Sequence, residues 1–305
     1  GITRLDPDDG ATIFDHHNGL RQPIINGIWR HRDRLYVSTL DGLLRLVPAN
    51  PPSGSAARFE KVETIGRNPR EMASHPSGLL IGTPEGIVRL REHDRTDVVL
   101  PLDQLALHPV WSKREPDTLF VGVRNGLAIA RWQDDRLQLI ARFDGLGEVR
   151  TLCETADGTV WLGTPSRGFH RVDRSPGQPW SEASVTSYNQ ANGRLVDHGW
   201  VEVFDSPQGP LFASALGLLR YDPTHDRFEP DPRFPIDGER YGSIRPIFAT
   251  ADGDLWAQAT NDPAVTQRPL GRFRRQPDGS YRWQDAPRRL WDIIGLSGAQ
   301  VLYWE

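Results

Sequence analysis

Arg70, Arg150 and Arg245, with Trp291, are the side chains of this sequence best suited to hold a ligand. A guanidinium takes a carboxylate through two parallel hydrogen bonds, and both it and an indole stack on flat surfaces, so the set suits an acidic or sugar-like molecule. Each lies in or beside a short apolar-x-x-apolar unit, and the same units carry Asn26, Glu71, His108, Glu202 and Asp292. The residue type at these places changes from one unit to the next. A packing position would repeat, whereas a binding surface has to vary. The competing reading is that mixed charges around a solvated opening need no ligand.

Catalytic chemistry is harder to find. Of nine histidines only His75, His108 and His198 fall near such units, and they recur at no metal-ligand spacing. The one cysteine, Cys153, can close no internal disulfide and has Thr151, Leu152 and Glu154 around it, so it reads as a small buried strand residue. Neither a phosphate-cradling glycine loop nor a dinucleotide fingerprint is present. The sequence therefore predicts no catalytic residue, no metal and no cofactor.

Charge removes other partners. With 36 Lys+Arg against 40 Asp+Glu the formal net charge is −4 over 305 residues, the opposite of the field that nucleic acid or an anionic membrane selects. No apolar run approaches the roughly 18 residues that span a bilayer, and no charged-then-apolar leader opens the chain. The expectation is a soluble domain without direct membrane contact. The chain begins at Gly1, not methionine, which leads to the further expectation of an excerpt from a longer protein.

The elements that must position these residues come from a repeat. Its clearest copy runs from Glu148 to Asp173: an apolar segment, the turn Asp157-Gly158, a strand centred on Val160, Trp161 and Leu162, then a second turn and Gly168 opening another strand. The central strand recurs from Arg34, Gly78, Thr118, Pro210, Asp254 and Gln300. The preceding strand recurs at Ile25, Pro69, Leu107, Trp200, Ile244 and Leu290. A repeat of about 45 residues matches a four-stranded propeller blade. Gly1 to Leu5 matches a third strand, while Leu290 to Trp304 matches first and second strands only. The sequence thus predicts an all-β, seven-bladed β-propeller of four-stranded antiparallel blades over 1–305, one blade closed by strands from both termini so that no sheet edge is left open. Asp157-Gly158 and Asp252-Gly253 are expected to form primed two-residue turns between first and second strands. Gly42, Gly86, Gly126, Gly168 and Gly217 are expected to need positive φ or close approach of a neighbouring blade.

The unit D-G-x-[VL]-W-[LI]-G-T-x-x-x-G-[LF]-x-R resembles the two-component regulator propeller repeat, at full strength from Asp157 to Arg171 and partially at Gly78 to Arg89, Asp33 to Arg45 and Asp252 to Trp256. Ile129 replaces the arginine in the third copy, and the sixth carries an insertion after Thr260. The resemblance implies a periplasmic, non-catalytic sensor propeller of a bacterial transmembrane receptor. Its partners would be the other domains of the parent chain and a small-molecule or oligosaccharide ligand. The alternatives are a propeller-fold polysaccharide lyase or hydrolase, or a protein-interaction propeller. Sialidase-type propellers carry an S-x-D-x-G-x-x-W box, and Thr155 to Trp161 fails it because Gly158 directly follows Asp157.

Two sets of recurring side chains read as structural. Arg4, Arg45, Arg89, Arg171 and Arg220 occur once per copy at one strand position, as expected of residues that pair with a neighbouring blade or along their own sheet. Trp161, Trp256, Tyr36, Phe120 and Phe212 read as packing aromatics in one shared register. Trp29, Trp111 and Trp291 are candidates to line the channel.

Overall fold

A computed structural model describes residues 2–5, 11–22, 24–50, 52, 54–192, 201–206, 208–214, 217–234, 243–250, 252–260 and 270–286. Short strands broken by turns every few residues leave little room for helix, and the only helical elements among the described residues are 3-10 turns. None is long and apolar enough to cross a membrane. The strands form six four-stranded antiparallel sheets and one two-stranded sheet. In chain order the sheets, here blades 1 to 6, begin at Ile25–His31, Met72–His75, Ala106–Trp111, Thr151–Glu154, Glu202–Phe204 and Ser243–Ala249. Each is a meander of consecutive strands, the blade of a β-propeller.

Among the described residues the expected count of seven is corrected to six complete blades. Beside them stands the two-stranded sheet of Ile2–Leu5 and Ala11–Phe14, in which Ile2 faces Phe14. The strands expected from Leu290 to Trp304 lie outside the described residues. By contacts the chain divides into two compact units, one within Gly1–Trp111 and Trp132–Gln138, the other within Ser112–Arg131 and Leu139–Trp291.

Core side chains gather between consecutive sheets. In the first unit Ile2 and Phe14 pack with Ile28, Val37 and Phe59 of blade 1, while Tyr36 and Leu43 pack with Met72, Leu79 and Ile81 of blade 2. In the second, Trp161 of blade 4 meets Phe212, Tyr221 and Phe228 of blade 5 at ring separations of 5.0, 4.9 and 5.6 Å. A strand sends alternate side chains to opposite faces, so each blade feeds two such cores.

Most letters of the repeat acquire a physical task. Asp157 Oδ1 accepts from the Thr159 amide at 3.1 Å and Gly158 N donates to Thr155 O at 2.9 Å. Gly158 adopts φ 93°, and Asp157 is not among the positive-φ residues. The turn therefore spans Ala156-Asp157 with glycine following, and the expected primed two-residue form is corrected; Thr250 to Gly253 repeats the arrangement. Gly163 lets the next blade approach, since a Cβ there would stand 3.0 Å from Val201 O and 2.9 Å from Glu202 Cα. Thr164 Oγ1 donates to Gly168 O at 2.9 Å, as Thr39 and Thr83 do to Gly42 and Gly86, tying the second turn. Gly168 has φ 79°, and its Cβ would run into Tyr188 O, so the crowding comes from the blade's own fourth strand and not from a neighbouring blade.

The repeating arginines join blades. Arg45 donates to Asp94 at 2.8 Å, Arg89 to Asp135 at 2.5 and 3.1 Å, and Arg171 to Asp226 at 3.4 Å. Each acceptor stands in the turn between third and fourth strands of the following blade, at φ 54°, 61° and 50°. Aspartate tolerates the left-handed region better than most residues, so the turn that needs such a residue also supplies the carboxylate. Among the described residues Arg220 reaches Glu229 of its own sheet, at 3.6 Å, and the side chain of Arg4 lies outside the described residues.

Two packing expectations change. Trp161 faces Arg171 across the sheet, whereas Phe212 faces Leu219, one position out of that register; it points back at Trp161 instead of forward. Trp29 and Trp111 line no channel: their indole nitrogens donate to Ser74 Oγ and Ser74 O, both at 2.9 Å, and Trp111 stacks 5.3 Å from His75. Cys153 is buried as expected, and burial pushes its thiol up to about 12.

Trp161→Ala is expected to cost about 3–5 kcal/mol, the range for emptying a buried aromatic site. The exposed Arg150→Ala should stay within about 0.5 kcal/mol. Denaturant unfolding of the two variants checks the order, which reverses if core and surface have been exchanged.

Candidate functional site

Asn26 and Arg70 meet where the first strands of blades 1 and 2 begin. Asn26 Nδ2 donates to Pro69 O at 2.9 Å, and Arg70 Nη1 donates to Asn26 Oδ1 at 3.3 Å. Backbone pairing positions Glu71: Gly82 N donates to Glu71 O at 3.0 Å, and Glu71 N donates to Leu107 O of blade 3 at 3.1 Å. The Glu71 carboxylate lies against Gly27, where an added Cβ would be 3.3 Å from Oε2. A glycine at that place in blade 1 is what gives the acid its room. His108 follows Leu107, and its Nδ1 is buried without a hydrogen-bond partner.

Desolvation dominates the electrostatics here. An edge of each side chain stays accessible, yet protein surrounds both. Burial raises the Glu71 carboxyl to about 7 and lowers the His108 imidazole to about 4. Both changes favour the neutral form, the expected response of a group removed from water without an opposite charge beside it.

The second unit holds two more predicted residues. Arg150 is exposed, and its Nε donates to Glu148 Oε1 at 3.1 Å. Glu202 faces Ala213 in its sheet, and the neighbouring Val203 N donates to Thr151 Oγ1 at 2.9 Å. Arg245 faces Gln258 through its backbone, but its side chain lies outside the described residues, as do Trp291, Asp292 and His198. The structure thus brings Asn26, Arg70 and Glu71 into one group with His108 beside it. Arg150 and Glu202 stand in the other unit.

One feature escaped the sequence. Between blades 4 and 5, at the end where first strands turn into second, lies an open cleft of about 720 Å³ edged by Asp157, Tyr221 and Pro223. These residues belong to the repeat or to turns, so variability from copy to copy could not mark them.

With this geometry in place, the family model for the two-component regulator propeller matches residues 145–166. This stretch is similar to that repeat. It includes the turn at Asp157-Gly158, Trp161, Gly163 and Thr164, whose tasks are given above. No curated protein matches the sequence. Among solved structures, the chain is similar to virginiamycin B lyase from Staphylococcus aureus at 12% identity, over 88% of this chain and 87% of that one, with a TM-score of 0.55. At that identity the likeness shows the propeller fold alone. It also aligns with the extracellular domain assigned to a hybrid two-component system of B. thetaiotaomicron, at 14% identity over 93% of this chain, with a TM-score of 0.39. The chain spans 46% of that domain's length.

Glu71 keeps a stability contribution while it is protonated in the fold and in the unfolded chain alike, below about pH 4.5; the contribution is lost as pH rises towards 7, where the unfolded chain has released its proton. His108 acts oppositely: its contribution is complete above about 6.5 and is lost as pH falls towards 4. Glu71→Gln should therefore gain stability relative to the parent chain between pH 4.5 and 7, by up to about 3 kcal/mol. Denaturant unfolding across that range measures the difference, and a flat difference would place the Glu71 carboxyl in water.

Proposed function

We propose that this chain is an extracytoplasmic, ligand-recognising sensor propeller of a bacterial transmembrane signalling receptor, forming part of a longer protein and performing no catalysis itself. The observation that carries the reading is the two-component regulator propeller repeat at 145–166, whose characteristic residues join blades or shape turns. The repeat consumes its own side chains in architecture. Recognition then falls to the variable residues at the first strands, with Asn26, Arg70, Glu71 and His108 as one group and Arg150 and Glu202 as another; Arg245, Trp291 and Asp292 complete the proposed surface.

Guanidiniums at Arg70 and Arg150 suit a carboxylate-bearing sugar.

Calorimetric titration with tetragalacturonate is expected to show modest affinity, falling about tenfold, or about 1.4 kcal/mol, in Arg70→Ala or Arg150→Ala. Tight binding unchanged in both variants and in Arg245→Ala would remove the ligand from these strands. Unsaturated or shortened products in the same samples would replace the sensor reading with a lyase or hydrolase.

A further inference from the structure

Three junctions, between blades 1 and 2, 2 and 3, and 4 and 5, share the same arginine-to-turn device, yet the space beside it is treated differently at each. Between blades 1 and 2 it is bridged: Arg32, in the turn between first and second strands, donates to Pro76 O at 3.0 Å and to Glu92 at 2.9 Å. Between blades 2 and 3 it is filled by rings, with His75 at 4.0 Å from Trp132 and Arg89 5.4 Å over the same indole. Between blades 4 and 5 the corresponding turn is Thr155 to Thr159, all short side chains, and the facing turn begins at Pro223. Arg171 and Tyr188 cross to Asp226 at this junction, and a cleft of about 720 Å³ lies beside them.

Its lining has a definite chemistry. The half-buried Tyr221 and Pro210 and the exposed Pro223 supply apolar surface, while Trp161 and Phe212 lie behind them in the core. Arg171 is already committed, donating to Asp173 at 2.6 Å and to Asp226 at 3.4 Å. Asp157 Oδ1 accepts from the Thr155 hydroxyl and from the Thr159 amide at 3.1 Å. Hydrogen bonding from its own turn holds that carboxyl below its usual range. Asp157, Asp173 and Asp226 stand with Arg171 and Arg220 around the cleft, so no excess of positive charge is there to select an anion. A carboxylate, which can accept more than two hydrogen bonds, next to apolar carbon suits a molecule with hydroxyl donors on one side and a C–H face on the other.

We infer that the cleft between blades 4 and 5 is a binding site for an uncharged oligosaccharide, with Asp157 accepting from sugar hydroxyls and Tyr221 with the flanking Pro210 and Pro223 taking the ring face. It is separate from the surface proposed for acidic ligands and goes beyond that reading. The difference in charge preference makes the two distinguishable.

Calorimetry or saturation-transfer spectroscopy with maltotetraose, xylotetraose and mannotetraose tests the inference. At least one is expected to bind with millimolar or tighter affinity and to lose tenfold or more in Asp157→Asn, which keeps the acceptor for the turn, and in Pro223→Trp, which blocks the cleft from an exposed turn. Arg150→Ala should leave that binding unchanged. No binding by any of the three, binding indifferent to both cleft variants, or preferential binding of tetragalacturonate in the cleft would each overturn the inference. Tetragalacturonate binding that responds to Arg150→Ala and ignores the cleft variants bears only on the sensor surface, so either idea can fail alone.

Discussion

The fold depends on a guanidinium passing from one blade to the next. Arg45, Arg89 and Arg171 each leave the third strand of one sheet and end on an aspartate in the outer hairpin turn of the following sheet. Arg89 shows why this contact constrains so much around it. The side chain is 1% exposed and binds Asp97 of its own sheet and Asp135 of the next at once. Removing one carboxylate would leave a buried charge short of a partner, which is far costlier than the net worth of an ion pair on the surface. Direction matters too. The donor always points forward along the chain, so the contact fixes which face of a blade meets its successor.

Where the arginine is missing, another contact takes over. Ile129 stands at its position in blade 3, and the junction with blade 4 is made by Trp180 against Phe120 at 5.2 Å. Glu115 of blade 3 accepts from Arg174 and, at 3.4 Å, from the Trp180 indole. Ser112 and the Lys113 amide donate to the buried Glu154 of blade 4. The ionic polarity is reversed, acid first and base second. A blade junction therefore needs a desolvated polar contact beside an aromatic one and tolerates different residues in the two roles.

The candidate surfaces follow from what this architecture leaves over. Second-strand glycines let consecutive blades approach until backbone meets backbone, at Gly82 against Ala106 O and at Gly122 against Val149 O. Side chains at the start of the first strands are thereby crowded together, and loss of water shifts Glu71 and His108 towards their neutral forms. At the other end of the strands, side chains such as Arg32 and Trp132 fill the junctions of blades 1 and 2 and of blades 2 and 3. The turn of blade 4 is too small to fill its own, and the cleft there is a direct consequence of Thr155, Ala156, Asp157, Gly158 and Thr159 standing where blade 1 has Arg32.

Much of this was legible in order along the chain. Strand boundaries, the glycines at positive φ, the burial of Trp161 and Cys153, and the structural reading of the arginines all depend on local pattern, because alternation and turn chemistry act over a few residues. Pairing across blades did not follow. The partners of Arg45, Arg89 and Arg171 lie 46 to 55 residues away in turns whose lengths differ from blade to blade, so no spacing announces them. One-residue changes in loop length moved Phe212 to the opposite face, since a strand has period two and each shift inverts every side chain. Trp29 and Trp111 show the same limit: an aromatic beside the first strand can face the loops or the next blade, and Ser74 decided for the blade. The sequence by itself determined the blade, because its repeat sets turns and strand faces locally. Only the tertiary structure decided which gaps between blades stay open, because that depends on side chains from two distant turns meeting or failing to meet.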